Sequence, residues 1–190
     1  MKVTRVRLFG IDPGSVRTGF GCVESDGSRH RLVRCGAITA PQRLSFPARL
    51  HLIHSALVEI IAECRPDAVA VESLFHAVNA RSALQLGHAR GVALLAATQA
   101  GLEVAEYPPA EVKRAVVGYG RAEKQQVQQM VSLLLGLAEP PQPFDASDAL
   151  AVAICHVHLL QHASQPVIAE ARAEARAARV PRSWRDYKAL

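Results

Sequence analysis

Val6-Arg7-Leu8-Phe9-Gly10-Ile11-Asp12-Pro13-Gly14-Ser15 decides the fold class of this chain. Its apolar run fits one buried strand, and it ends on an acid followed by turn formers. Residues 18–25 and 31–38 read as two more strands, joined by the turn Asp26-Gly27-Ser28. Connections this short make an antiparallel meander. Residues 47–64 carry Leu50, Ile53, Leu57, Ile60, Ile61 and Cys64 at the helical period, and Arg65-Pro66-Asp67 ends that helix. Residues 68–72 form an apolar strand closed by Glu72. Further along, the pattern predicts a helix over 79–100 and a strand over 102–107, then helices over 110–116, 122–137 and 145–162. This order predicts an α/β fold. Its five-stranded mixed sheet has three antiparallel strands then two parallel ones, flanked by helices.

Bulk properties narrow the function. A chain of 190 residues, 49% hydrophobic, supports one domain with a real core. We expect that domain over 1–163, followed by a flexible Ala/Arg-rich tail over 164–190, in which Arg172, Arg176 and Arg179 would share one side of a helix. No run of about 18 uncharged apolar residues is present, so no membrane span is expected. The segment from Met1 to Gly10 lacks a signal-peptide layout, and residence in the cytoplasm is the expectation. Cys22, Cys35, Cys64 and Cys155 form no C-x-x-C pair, which argues against a zinc ribbon or redox motif and for reduced, mostly buried thiols. A net charge of +5 favours an anionic partner, nucleic acid being the commonest large one.

Four acids stand out against that background. Asp12 and Glu72 end apolar strands, while Asp145 and Asp148 open the last helix. Acids at the ends of buried elements are costly unless paired or bound to a cation. Three have a plainer reading, Asp12 as a turn residue and Asp145 with Asp148 as a capping pair at a helix start, whereas Glu72 after four apolar residues is either desolvated or held by a partner or a metal. Capping and ligation can coexist, because i and i+3 side chains share a helix face. Hard oxygen donors select Mg²⁺ or Mn²⁺, and two such ions suit in-line phosphodiester hydrolysis.

Other residues are placed beside these acids. Phe75 is either a core aromatic or a ring that stacks on an unpaired base. Lys113, Arg114, Arg121 and Lys124 flank the loop Gly118-Tyr119-Gly120 and suit phosphate contacts. Arg81 joins them as a DNA-binding candidate. Ala83, Gly87 and Gly91 form a small-residue stripe, for packing within the chain or for a two-fold dimer seam. His156 and His158 diverge on a helix and read as packed or solvated rather than zinc-binding.

Taken in order, Gly10-Ile11-Asp12-Pro13-Gly14-Ser15 with Thr18-Gly19, Val71-Glu72 with Phe75, Asn79-Ala80 through Gly91, Lys113 through Lys124, and Asp145-Ala146-Ser147-Asp148 resemble the RuvC family. These are Holliday-junction resolvases of the RNase H-like superfamily. The resemblance runs to about residue 162. It implies an RNase H-like fold and a crossover junction endodeoxyribonuclease that cuts four-way DNA by paired symmetric nicks in recombination and repair, leaving 5′-phosphates. It implies that Asp12, Glu72, Asp145 and Asp148 are the catalytic, metal-binding carboxylates. Lys113, Lys124 and Phe75 would contact the junction, and the helix stripe would form a homodimer. It also implies RuvA-RuvB, a branch-migration complex, as partner.

Competing readings remain at this point. Residues 11–21 also resemble the first phosphate loop of actin-like ATPases and sugar kinases, whose two sheet domains exceed 190 residues. A non-catalytic junction-binding protein, or an RNase H-like nuclease on another nucleic acid, would share most of these features.

Overall fold

The structure is a computed structural model that describes residues 5–73 and 79–163. Its strands are β1 (Val6–Asp12), β2 (Arg17–Ser25), β3 (His30–Thr39), β4 (Ala68–Glu72) and β5 (Glu103–Tyr107). Its helices are α1 (Phe46–Cys64), α2 (Ala80–Gln99), α3 (Pro109–Val117), α4 (Lys124–Leu135) and α5 (Phe144–Ala163). The unit Met1–Val157 holds the whole sheet, and the described part of His158–Leu190 is the end of α5. Phe75 and the tail over 164–190 lie outside the described residues.

The sheet order is β3-β2-β1-β4-β5. β1, β2 and β3 pair antiparallel, and β4 joins β1 and β5 in parallel, so the five-stranded mixed sheet expected from the sequence is present. Several element ends differ from expectation by one or two residues. α4 begins at Lys124 rather than Ala122, because Glu123 is the capping residue and Gln126 Oε1 accepts from its backbone N–H. It ends at Leu135, since Gly136 takes the left-handed conformation at φ 63°. α5 begins at Phe144, which places Asp145 inside its first turn.

Strand alternation sorts the side chains. Phe9, Ile11, Phe20, Cys22, Val69 and Val71 share a core with Ile53, Leu57 and Ile61 of α1 and with Ala93, Ala96 and Ala97 of α2. The intervening positions, Gly10, Gly19, Gly21, Ala70 and the acids Asp12 and Glu72, therefore belong to the other face. α5 lies there. A Cβ built on Gly10 would stand 1.9 Å from the Ala149 carbonyl oxygen, and one on Gly19 would stand 1.9 Å from the Asp145 carbonyl oxygen. These glycines let a helix rest directly on strand backbone. Burial pushes the thiols of Cys22 and Cys155 up to about 12, so they act as packing groups.

The β2–β3 turn carries a pH-dependent element. Asp26 Oδ1 accepts from Ser28 N at 3.0 Å, Ser28 Oγ at 2.9 Å and Arg29 N at 2.8 Å. The backbone bond from Arg29 and those from Ser28 hold the Asp26 carboxyl down at about 2. A depressed acid contributes stability above its unfolded value that is lost as pH falls through the folded one. Asp26→Ala should therefore lower Tm at neutral pH. The gap to wild type should close as pH falls from about 4 towards 2 in thermal unfolding followed by circular dichroism.

Candidate active site

Asp12 and Glu72 end adjacent parallel strands, one register step beyond the pair Ile11 and Val71. Alternation puts both carboxyl groups on the α5 side. Asp12 is in register with Gly19, the glycine that seats the Asp145 backbone. Asp145 and Asp148 thus reach the same end of the sheet from the first turns of α5. The acids come from β1, β4 and α5, far apart in sequence.

Their electrostatics show how close they are. Burial raises the Asp12 carboxyl well above the usual range, and the charges of Glu72, Asp148 and Asp145 push it further. Burial also raises Glu72, with Asp148 adding to it, while a hydrogen bond to Asp12 and the cations Lys124 and Lys113 oppose the rise. Lys124 donates to Asp148 Oδ2 at 3.0 Å. Burial pulls its ammonium down, but Asp148, Asp12 and Asp145 more than offset this and leave it raised. Arg17 Nη1 lies 3.4 Å from Asp145 Oδ2. The capping expectation for Asp145 and Asp148 gives way to ion pairs with other elements, since α5 has already begun at Phe144.

A cleft of about 220 Å³ is lined by Asp12, Glu72, Asp148, Lys113 and Lys124, with Pro109, Val112, Val127 and Ala151 as its apolar wall. Of the basic candidates, the structure brings Lys113 and Lys124 to this cleft. Arg114 and Arg121 are exposed nearby in sequence, and Arg81 is exposed on the first turn of α2. None of these three lines the cleft. Ala83, Gly87 and Gly91 are exposed along α2, and a Cβ on either glycine would meet nothing within 4 Å. They line an open apolar groove with Leu84, Val92 and Leu95.

Several supporting residues were not singled out in the sequence. Thr18 Oγ1 donates to Gly14 O at 2.8 Å, and buried Arg49 donates to Ser15 O at 2.9 Å, so the loop after Asp12 is held from two sides. Tyr107 closes β5 opposite Glu72, and its hydroxyl lies 2.6 Å from Nδ1 of buried His156. Burial lowers that imidazole, against the pull of Glu103. His156 is therefore a packed residue, as expected. Spacing did not announce Arg49 or Tyr107. The one available signal was a charged or polar residue inside an otherwise apolar stretch.

The donor set fits a hard divalent cation. The acids supply oxygen donors alone, and their mutual repulsion is what a cation relieves. As they stand, the described residues form no group of three or more His, Cys, Asp or Glu side chains that could hold an ion. Asp145 and Asp148 are engaged by Arg17 and Lys124 instead.

The family model for the crossover junction endodeoxyribonuclease RuvC matches residues 8–156. A crossover junction endodeoxyribonuclease RuvC from Trichlorobacter lovleyi is 51% identical over 185 residues, spanning 96% of this chain and 99% of the relative. One from Geobacter metallireducens is 56% identical over 153 residues, spanning 80% and 93%. The structure of Thermus thermophilus RuvC in complex with Holliday junction substrate superposes with a TM-score of 0.80 at 36% identity, covering 84% of this chain and 97% of that one. The yeast mitochondrial Holliday junction resolvase Ydc2, at 11% identity and a TM-score of 0.63 over 87% and 84% of the two chains, shares the fold.

Proposed function

This chain belongs to the RuvC family of crossover junction endodeoxyribonucleases, and from that premise we propose how its own residues do the work. It is a hydrolase acting on DNA, a Holliday-junction resolvase with a role in recombination and repair, and its family's chemistry takes a divalent metal cofactor. The observation that supports the mechanism is a cleft lined by Asp12, Glu72 and Asp148 beside Lys113 and Lys124, with Asp145 near enough for its charge to act on Asp12.

Asp12, Glu72, Asp145 and Asp148 would hold the metal, which we take as Mg²⁺ or Mn²⁺ and as two ions per site. Bound there, such ions supply an activated water and stabilise the leaving oxygen. Asp12 is central because the other three acids all act on it. Lys124 and Lys113 hold the backbone phosphates of the strand to be cut. Thr18 and Arg49 keep the Asp12 loop from swinging away. Hydrolysis at such a site leaves a 5′-phosphate and a 3′-hydroxyl.

A four-way junction has near two-fold symmetry, so a homodimer presents two equivalent sites to opposed strands. The stripe Ala83, Gly87 and Gly91, with exposed Leu84 and Leu95 beside it, is our choice for the seam. Gly87→Arg should convert the dimer to a monomer in sedimentation equilibrium and replace paired nicks by single ones. We extend the reading to RuvA-RuvB as the family's branch-migration partner and to the cytoplasm. Among the described residues, no helix is long and apolar enough to cross a membrane. Phe75 and Arg81 remain proposed junction contacts.

The test is cleavage of a synthetic four-way DNA junction with Mg²⁺, with Mn²⁺ and with EDTA. Paired symmetric nicks that need metal are expected. Binding without cleavage under every metal and sequence would replace this mechanism by a non-catalytic junction binder.

A further inference from the structure

Tyr119 and Gln126 stand outside the machinery described above. Tyr119 is 46% exposed, in the short loop between α3 and α4. Those two helices carry Lys113 and Lys124 into the cleft. The Tyr119 hydroxyl donates to Gln126 Oε1 at 2.8 Å, and the Glu123 backbone N–H donates to the same oxygen at 2.9 Å. A backbone N–H can only donate, so this network fixes which end of the amide is oxygen. Gln126 is exposed, and among the described residues nothing accepts from its Nε2.

This arrangement limits what the amide can recognise. Reading adenine needs the amide oxygen and nitrogen together. Here the oxygen is already occupied by two donors, so the group offers N–H bonds alone. A donor-only group on an exposed helix turn matches an acceptor-only partner, the phosphodiester oxygen. Lys124, two positions away on the same turn, reaches Asp148 at the cleft. Tyr119 and Gln126 lie at the α3–α4 corner, between the helices that carry Lys113 and Lys124, so a strand that leaves the cleft across this corner meets them.

We propose that Gln126 and Tyr119 form an uncharged DNA-backbone contact beside the cleft. Gln126 Nε2 donates to a phosphate oxygen, and the Tyr119 ring covers the adjoining deoxyribose. The inference rests on the resolvase reading. It adds a contact that positions the strand without reading its sequence.

The test is fluorescence anisotropy of the full chain on a labelled four-way junction, with Ca²⁺ in place of Mg²⁺. Gln126→Glu keeps the accepting oxygen, and with it the helix cap, but exchanges the donor for an anion. It should weaken binding about tenfold with Tm unchanged. Gln125→Glu adds the same charge on the same exposed turn without those bonds, and should cost about twofold. Tyr119→Ala should cost about tenfold, by loss of the ring. Sequence preference in cleavage should stay as in wild type. Equal losses for Gln126→Glu and Gln125→Glu, or an altered cleavage preference in Gln126→Glu, would overturn the contact alone. A wild type that does not hold the junction would overturn the resolvase reading together with it.

Discussion

Asp12→Asn should reduce junction cleavage about a thousandfold or more while leaving junction affinity within about twofold. Asn keeps the volume but removes the charge at the point where Glu72, Asp145 and Asp148 converge. The basic side chains that would grip phosphate, Lys113 and Lys124, stay in place. The same substitution should also stabilise the metal-free protein at neutral pH by about 1–3 kcal/mol, because it deletes a buried, repelled carboxylate. The sign follows from the direction of the shift. Asp12 is raised in the folded state, so its stability is present at low pH and lost as pH rises. The advantage of Asn should thus vanish in acid, where Asp12 is protonated folded or unfolded. Mn²⁺ should raise the Tm of wild type and do little for the variant. A variant that cuts at the wild-type rate, or that cannot bind a junction, removes Asp12 from the centre of the mechanism.

Gly10→Ala should cost about 3 kcal/mol or more in urea denaturation, and Gly10→Val should leave no folded protein. The added methyl would stand 1.9 Å from Ala149 O and 2.8 Å from Ala153 N, both backbone atoms of α5. Backbone cannot swing aside as a flexible side chain can. Relief requires α5 to lift off β1, and that motion carries Asp145 and Asp148 away from Asp12. Any folded Gly10→Ala protein should therefore cleave poorly and bind metal weakly. Gly87→Ala is the contrast within the protomer, since the new methyl meets nothing of its own chain within 4 Å and should cost its fold nothing comparable. If the two substitutions prove equally mild, the glycine seat under α5 is not what fixes the helix.

The periodicities of the chain made the sheet and most helices legible, because local patterns of two and 3.6 residues report burial directly. Asp12, Glu72, Asp145 and Asp148 could be picked out for the same reason: each interrupts or borders an apolar run. The partners of those acids could not. Arg17 meets Asp145 across 128 positions, and Lys124 meets Asp148 across 24, with no local signature for either. The direct contact of α5 with β1 and β2 was also hidden. Gly10 and Gly19 carry the family resemblance, and Gly19 and Gly21 the likeness to a phosphate loop, but none was read as a seat for a helix, although glycine at alternating strand positions is the trace such a contact leaves. Arg49 and Tyr107 were lost among helix and strand residues, because what they hold is backbone or a side chain from another element. Tyr119 was read as loop chemistry, since nothing local says where its hydroxyl goes.

The glycine seat has a consequence for the birth of the protein on the ribosome. β1 emerges early and α5 late, so a nascent chain can pair its five strands long before the helix that carries Asp145 and Asp148 has left the exit tunnel. Until then one side of the sheet is a bare glycine trough, and the acids of β1 and β4 have no counterpart. Closure waits on contacts of long sequence separation, the kind that form slowly. The centre that we propose cuts DNA is therefore completed only when the last helix docks.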